Sequence, residues 1–139
     1  MKIYFAGSIR AGRDDVSTYR VLIDHLKQYG DVLTEHVGEH SLSADGQSEL
    51  TDTFIHDRDL EWLRATDLVV AEVSTPSLGV GFEIATAVHK KIPVIALCRG
   101  NRGSLSALIA GSPGVETFHY TELSEALAVI DAKLPVAVR

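Results

Sequence analysis

The sequence has little of what several classes of protein require. A single cysteine, Cys98, excludes a disulfide within the chain, and its apolar surroundings are typical of a buried side chain. No apolar stretch approaches the roughly 20 residues that a membrane span needs. Acidic residues outnumber basic ones by 19 to 13, and aromatic residues make up 6% of the chain. We therefore expect neither a membrane nor a nucleic-acid polymer as a partner.

Metal and targeting signals are also scarce. With one cysteine, the chain lacks the paired-cysteine spacing of structural zinc sites, and we predict no metal site and no cofactor. The apolar run at the amino terminus, Met1–Ala6, is too short for a signal peptide and has no cleavage-type tail. We predict a cytoplasmic or, in a eukaryote, also nuclear protein, with residues 1–139 as one domain.

What the sequence does have is a regular alternation of apolar runs and helical patterns. The predicted strands are Ile3–Ala6, Asp31–Val37, Leu68–Val73, Val94–Cys98 and Val115–Tyr120. The predicted helices are Asp14–Tyr29, Glu49–Ala65, Phe82–Lys91, Ser104–Ala110 and Glu122–Leu134. This order indicates an α/β fold with a parallel sheet of about five strands, covered by helices on both faces. Ligands bind such sheets beyond the carboxyl ends of the strands.

Three loops lie at those strand ends: Gly7–Arg13, Ser74–Gly81 and Arg99–Ser106. Glycines in the first loop let the backbone approach a ligand, and the following helix start offers N–H groups to an anion such as phosphate. The loop has neither the dinucleotide-binding pattern nor the phosphate-loop lysine. A tight turn with solvent-exposed arginines accounts for it equally well.

Two carboxylates near these loops are candidates for chemistry. Glu83 follows the glycine-rich second loop and is expected in the first turn of a helix, where balancing the helix dipole is the slightly favoured alternative. Asp59 lies beside the apolar stripe of the helix Glu49–Ala65, where a solvated carboxylate is the simpler explanation. Glycoside cleavage needs two carboxylates from different elements, one at the anomeric carbon and one for proton transfer. Tyr4, just before the first loop, either reaches this site or is a half-buried strand residue.

Taken together, four motifs resemble one enzyme family. They are Tyr-Phe-Ala-Gly-Ser-Ile-Arg at 4–10, Leu-Thr-Glu-His-Val at 33–37, Asp-Leu-Glu-Trp-Leu at 59–63 and Glu-Val-Ser-Thr-Pro-Ser-Leu-Gly-Val-Gly-Phe-Glu at 72–83. The family is that of the 2′-deoxynucleoside 5′-phosphate N-hydrolases and, more distantly, the nucleoside 2-deoxyribosyltransferases. The likeness runs from residue 2 to about residue 109, and its most specific part is the segment 76–83.

The resemblance implies a Rossmann-like doubly wound domain that forms a homodimer and cuts the base from 2′-deoxyribonucleoside 5′-monophosphates. Glu83 would be the nucleophile, Asp59 the proton-transfer partner and Tyr4 a contact to the sugar and the nucleophile. The nucleotide would be bound by Gly7, Ser8, Ile9, Arg10, Arg13, His36, Ser77, Gly79 and, across the dimer interface, Ser106. A 2-deoxyribosyltransferase, a CMP-type ribonucleotide hydrolase and a non-catalytic nucleotide-binding module remain alternatives.

Overall fold

The computed structural model describes residues 1–9, 15–38, 47, 49–101 and 104–135. The strands are β1 (Lys2–Ala6), β2 (Asp31–Val32), β3 (Leu68–Glu72), β4 (Val94–Arg99) and β5 (Val115–Tyr120). The helices are α1 (Val16–Leu26), α2 (Asp52–Ala65), α3 (Leu78–His89), α4 (Ala107–Ala110) and α5 (Leu123–Lys133). In the described part of the chain, no helix is long and apolar enough to cross a membrane.

The strands form one parallel sheet in the order β2-β1-β3-β4-β5, which confirms the predicted fold class. Side chains alternate along each strand, so the sheet has two apolar faces. Ile3 and Phe5 of β1 belong to the core that α1 and α5 cover, whereas Tyr4 belongs to the core that α2 and α3 cover. The order reverses between β1 and β3, which in open α/β sheets is where ligands bind.

The second strand is shorter than predicted. It ends at Val32 instead of Val37, and a 3₁₀ turn over Glu35–Gly38 follows. The Thr34 hydroxyl accepts a hydrogen bond from the Phe5 N–H at 2.8 Å and donates one to the Phe5 carbonyl at 2.6 Å. Because a side chain occupies the backbone groups that a longer β2 would use, the chain leaves the sheet here.

The third helix begins earlier than predicted, at Leu78 instead of Phe82. Ser77 is its N-cap, because the side-chain oxygen accepts a hydrogen bond from the Val80 N–H at 3.3 Å. Glu83 therefore lies in the second turn and not in the first. The helix dipole acts mainly within the first turn, so it gives a weaker reason for a carboxylate at this position.

Candidate active site

A cavity of about 540 Å³ opens at the carboxyl ends of the strands, beside α2 and α3. Gly7 and Ile9 line it from the end of β1, and His36 lines it from the 3₁₀ turn. Asp59 on α2 and Glu83 on α3 line it from two different helices. The structure thus brings both predicted carboxylates into one cavity, although 24 positions separate them in the sequence.

Glu83 is paired with Tyr4 at this cavity. Tyr4 lies on β1 with 1% of its surface exposed, and its hydroxyl donates a hydrogen bond to the Glu83 carboxylate. Burial raises the pKa of Glu83 to about 8; the Tyr4 hydrogen bond opposes the rise and the negative charge of Asp59 adds to it. Burial and these two carboxylates raise the pKa of Tyr4 as well, so it remains a hydrogen-bond donor at neutral pH.

Asp59 is held in place by its neighbour along the chain. The Arg58 guanidinium donates to Asp59 Oδ1 from Nε at 3.0 Å and from Nη2 at 2.9 Å. Arg58 Nη2 also donates to the Gln47 side-chain oxygen at 2.7 Å, and its guanidinium carbon lies 4.6 Å from the centre of the Trp62 ring. Arg58 thus donates two hydrogen bonds to Asp59 while it packs on the Trp62 ring, and these contacts fix one rotamer of the Asp59 side chain.

Arg58 is a part of the site that sequence reasoning missed. It lines the same cavity, yet neither its spacing nor its neighbours in the sequence distinguish it from a solvated helix residue. His36 lies close to this arginine stack, since the centres of its ring and the Trp62 ring are 5.8 Å apart. His36 and Arg58 therefore line one wall of the cavity, and Trp62 packs against both of them.

The opposite wall is the start of α3, where Ser77 and Gly79 line the cavity. The first turn of a helix has N–H groups without intrahelical partners, and these bind anions well. A Cβ atom added to Gly79 would meet only the Ser77 hydroxyl, at 3.8 Å. Packing within the chain does not demand glycine here, and its absence of a side chain leaves the backbone open to a ligand.

The first loop is only partly described. Ser8 is fully buried, and its backbone N–H donates to the Tyr19 hydroxyl at 3.0 Å, so that N–H faces the protein interior. A Cβ atom at Gly7 would lie 3.0 Å from the Tyr19 ring, so this glycine is needed for the close packing of the loop. The predicted contacts Arg10 and Arg13 lie outside the described residues.

Ser106 lies apart from the other predicted residues. It lines a second cavity, of about 990 Å³, on the α4 side of α3, where Ser77 and Val80 also contribute. Its hydroxyl caps α4 by accepting the Leu108 N–H at 3.3 Å. The helix is shorter than predicted, Ala107–Ala110 instead of Ser104–Ala110. Within one chain, Ser106 does not line the cavity that contains Glu83.

The arrangement suits chemistry at an electron-poor carbon. It offers one carboxylate beside a phenol donor, a second carboxylate beside an arginine, and helix N–H groups for an anion. Among the described residues, no three His, Cys, Asp or Glu side chains come together as a candidate metal site. Two acid–base groups of different environment at one cavity are typical of glycoside cleavage.

The chain is similar to several known proteins. Residues 3–130 match the family model described as nucleoside 2-deoxyribosyltransferase. The chain is 49% identical over 120 residues to a Tetraodon nigroviridis protein named 5-hydroxymethyl-dUMP N-hydrolase, covering 85% of this chain and 84% of that one. It is 43% identical over 125 residues to a Homo sapiens protein of the same name, covering 88% and 72%.

A solved structure has the same fold. It is a Clostridium botulinum CMP N-glycosidase, which matches with a TM-score of 0.71 over 96% of this chain and 100% of that chain. The sequences are 17% identical, so this likeness concerns the fold alone. The resemblance drawn from the four sequence motifs is confirmed by the family match and the similar relatives.

Proposed function

The chain belongs to the nucleoside 2-deoxyribosyltransferase family, and from that premise we propose that it is an N-glycosidase acting on 2′-deoxyribonucleoside 5′-monophosphates. Water cleaves the bond between C1′ and the base, giving the free base and 2-deoxyribose 5-phosphate. The names of relatives 43–49% identical to this chain support this reaction and include 5-hydroxymethyl-dUMP as a substrate.

One observation carries the proposal. Glu83 and Asp59 line a single cavity, and Glu83 also accepts a hydrogen bond from buried Tyr4; burial raises the pKa of Glu83 to about 8. A structural carboxylate gains nothing from a second carboxylate nearby, because like charges raise the cost of ionising both. A cleft that brings two such groups together is typical of an acid–base site.

In the first step, a Glu83 carboxylate oxygen bonds to C1′ while the C1′–N bond breaks. Asp59 gives its proton to the nitrogen of the leaving base, so the base departs neutral. Tyr4 orients the attacking carboxylate through its hydrogen bond. This mechanism favours a deoxy substrate, because positive charge at C1′ forms more easily in a sugar that has no 2′-hydroxyl.

In the second step, a water oxygen bonds to C1′ and the bond to Glu83 breaks. Asp59 takes the proton of the water and is ready for another cycle. Arg58 keeps the Asp59 carboxylate in one orientation for both proton transfers. The reaction needs one proton on the pair of carboxylates, since Glu83 must be ionised when Asp59 is protonated.

The phosphate is assigned to the start of α3 and to the first loop. Ser77, the Gly79 N–H and the loop that begins at Gly7 supply the donors, and the first-loop arginines Arg10 and Arg13 supply the charge. The base then lies toward His36 and the Trp62–Arg58 stack. This orientation places C1′ between the two walls, next to Glu83 and Asp59.

The test is product analysis with a panel of substrates. We expect release of free base from deoxynucleoside 5′-monophosphates, including 5-hydroxymethyl-dUMP, and little release from CMP or from the unphosphorylated deoxynucleosides. Equal kcat/KM for nucleotide and nucleoside, or transfer of deoxyribose to an added second base in preference to water, would instead favour the transferase reaction for which the family is named.

The active unit is proposed to be a homodimer with shared sites. Leu78 and Leu108 flank the second cavity with 96% and 88% of their surface exposed, and Phe82 is 54% exposed. A symmetric dimer would cover these apolar side chains. It would also place Ser106 of one subunit near the Ser77 side of the partner's nucleotide, because Ser77 borders both cavities.

Mixing two inactive variants tests this arrangement. One carries Glu83→Gln and the other a bulky substitution, Ser106→Tyr. If the sites are shared, one site of the mixed dimer carries both defects and the other carries neither, so activity should reappear after subunit exchange. Proven mixed dimers without recovered activity, or a fully active monomer, would contradict the shared site and leave the role of Glu83 untouched.

A further inference from the structure

A second polar cluster lies at the carboxyl ends of the strands, outside the Glu83 cavity. We call it the strand-end cluster, and it consists of Asp15, Glu72, Ser74, Thr75, Arg99 and Tyr120. Its centre is Asp15, a carboxylate with only 5% of its surface exposed. Asp15 is the N-cap residue of α1, but its side chain does not cap that helix.

The two oxygens of Asp15 bind two other segments. Oδ2 accepts a hydrogen bond from the Thr75 hydroxyl at 2.7 Å, and Oδ1 accepts one from Arg99 Nη2 at 2.6 Å. Because the arginine offsets its charge, this buried carboxylate remains compatible with an anion nearby. Removing this carboxylate from water costs free energy, and its two long-range hydrogen bonds offset that cost.

The chain of contacts continues across the sheet. The Arg99 backbone N–H donates to the Ser74 hydroxyl at 2.8 Å, and that hydroxyl donates to Glu72 at 2.9 Å. The Ser74 N–H reaches the other Glu72 oxygen at 2.7 Å, and the Tyr120 hydroxyl also donates to Glu72. Glu72 is fully buried, so its hydrogen bonds hold the exit of β3 in one conformation.

These contacts join the roots of three loops. Asp15 closes the first loop, which starts at Gly7, and Thr75 lies two positions before Ser77, the N-cap of α3. Arg99 ends β4 and begins the segment that leads to Ser106. The first loop and the loop before α3 are those to which the proposed function assigns the phosphate, and the Asp15 carboxylate connects both to the end of β4.

We propose that Asp15 and Thr75 are positioning residues that set the phosphate-binding end of the nucleotide site. The inference rests on the proposed function, because that function assigns the phosphate to these loops. Neither residue lines the Glu83 cavity. Their effect is to hold the Ser77 N-cap and the first loop at a fixed separation, so that both contact the same phosphate.

The test compares two substitutions at one position. Thr75→Val removes the hydroxyl at nearly constant volume, whereas Thr75→Ser keeps it. Thr75→Val should raise the Kd for 2-deoxyribose 5-phosphate, measured by calorimetry, by about tenfold. It should raise KM for the monophosphate by about the same factor, because small misplacements of a binding group have effects of this order or larger. It should change kcat less and leave kcat/KM for the unphosphorylated nucleoside unchanged. Thr75→Ser should restore the wild-type values.

Several results would overturn the proposal: unchanged binding by Thr75→Val, failure of Thr75→Ser to restore it, equal losses for nucleotide and nucleoside, or no binding of 2-deoxyribose 5-phosphate by the wild-type chain. If Thr75→Val does not fold, Arg99→Lys is used, which keeps the charge but removes the planar guanidinium, and the same selective loss is expected. If the wild-type chain binds the sugar phosphate but releases no base, the proposed function fails, while the binding comparison still tests the positioning role.

Discussion

The molecule contains two pairs of a buried tyrosine and a glutamate, and they differ in what surrounds the carboxylate. Tyr120 donates to Glu72, which also accepts from the N–H and the hydroxyl of Ser74. Tyr4 donates to Glu83, which lines an open cavity and has the charge of Asp59 nearby. Burial raises the pKa of both glutamates, but hydrogen bonds compensate it more fully at Glu72.

The comparison shows how one pair of residue types serves two purposes. Glu72 has donors on both oxygens and no access to a ligand, so it stabilises the ends of the strands. Glu83 has fewer donors and lines a cavity that a ligand can enter, which leaves its carboxylate available for reaction. A nearby carboxylate does not separate the two glutamates, because the charge of Asp15 also raises the pKa of Glu72; the cavity and the number of hydrogen-bond donors do.

The largest expected effect comes from removing the carboxylate of the reactive pair. Glu83→Gln should lower turnover of a deoxynucleoside 5′-monophosphate by at least about a thousandfold, because the nucleophile is lost. Glu61→Gln is the matched control, since Glu61 is an exposed carboxylate of α2 outside the cavity, and it should stay within about twofold of wild type. Near-normal release of base by Glu83→Gln would remove this residue from the mechanism.

The two tyrosines offer the next comparison. Tyr4→Phe should lower kcat by about 10- to 100-fold, because a hydrogen bond to a charged group is worth about 1.5–3 kcal/mol. Tyr120→Phe should lower the free energy of unfolding by about 1–3 kcal/mol, because buried Glu72 loses a donor. Kinetics and chemical denaturation on both variants measure this contrast. A Tyr4→Phe enzyme that keeps its kcat would contradict the positioning of Glu83 by the phenol.

The pH profile sharpens the roles of the two carboxylates. If the reaction needs one proton on the Glu83–Asp59 pair, kcat/KM should fall at alkaline pH with an apparent pKa near 8, the value that burial gives Glu83. Asp59→Asn should be slower and should replace the falling limb with a plateau, because the transferable proton is gone. A wild-type rate that rises through pH 8 and stays high would show that Asp59 does not act as the acid.

The smallest effect concerns stability. Glu83 has a folded-state pKa of about 8 against an ordinary value of 4.5, so the folded protein binds its proton more tightly than the unfolded chain does. Stability linked to this proton is complete below pH 4.5 and is lost as the pH rises to about 8. The difference in Tm between Glu83→Gln and wild type should therefore shift in favour of the variant between pH 5 and pH 8. A constant difference would mean that Glu83 is not desolvated.

Much of this fold follows from local sequence. The five apolar runs predict the five strands, because a strand buried on both faces must be apolar throughout. Several boundaries were wrong, and two of them have a local reason: the Thr34 hydroxyl replaces backbone partners of β2, and Ser77 starts α3 one turn early. A serine before a helical pattern is a known N-cap signal, so the second error was avoidable.

The polar residues at the strand ends were likewise predicted only in part. Glu83, Asp59 and Tyr4 were predicted through the family motifs; in the structure Glu83 and Asp59 line one cavity, and buried Tyr4 donates to Glu83. The strand-end cluster was not predicted, because its contacts join residues 60 and 84 positions apart, as in Thr75 to Asp15 and Arg99 to Asp15. Such pairs follow from the order of the strands, which a single sequence does not specify residue by residue.

The central claim is that Glu83 attacks C1′, and reaction in the presence of methanol tests it most directly. Methanol competes with water for the sugar on the enzyme. The methyl glycoside that it forms keeps its anomeric configuration in solution, whereas the free sugar does not. Attack by Glu83 followed by attack of methanol inverts C1′ twice. We therefore expect the methyl glycoside of 2-deoxyribose 5-phosphate to have the β configuration of the nucleotide, as read by proton NMR. The α anomer would mean that the solvent attacks C1′ directly, and it would contradict Glu83 as the nucleophile.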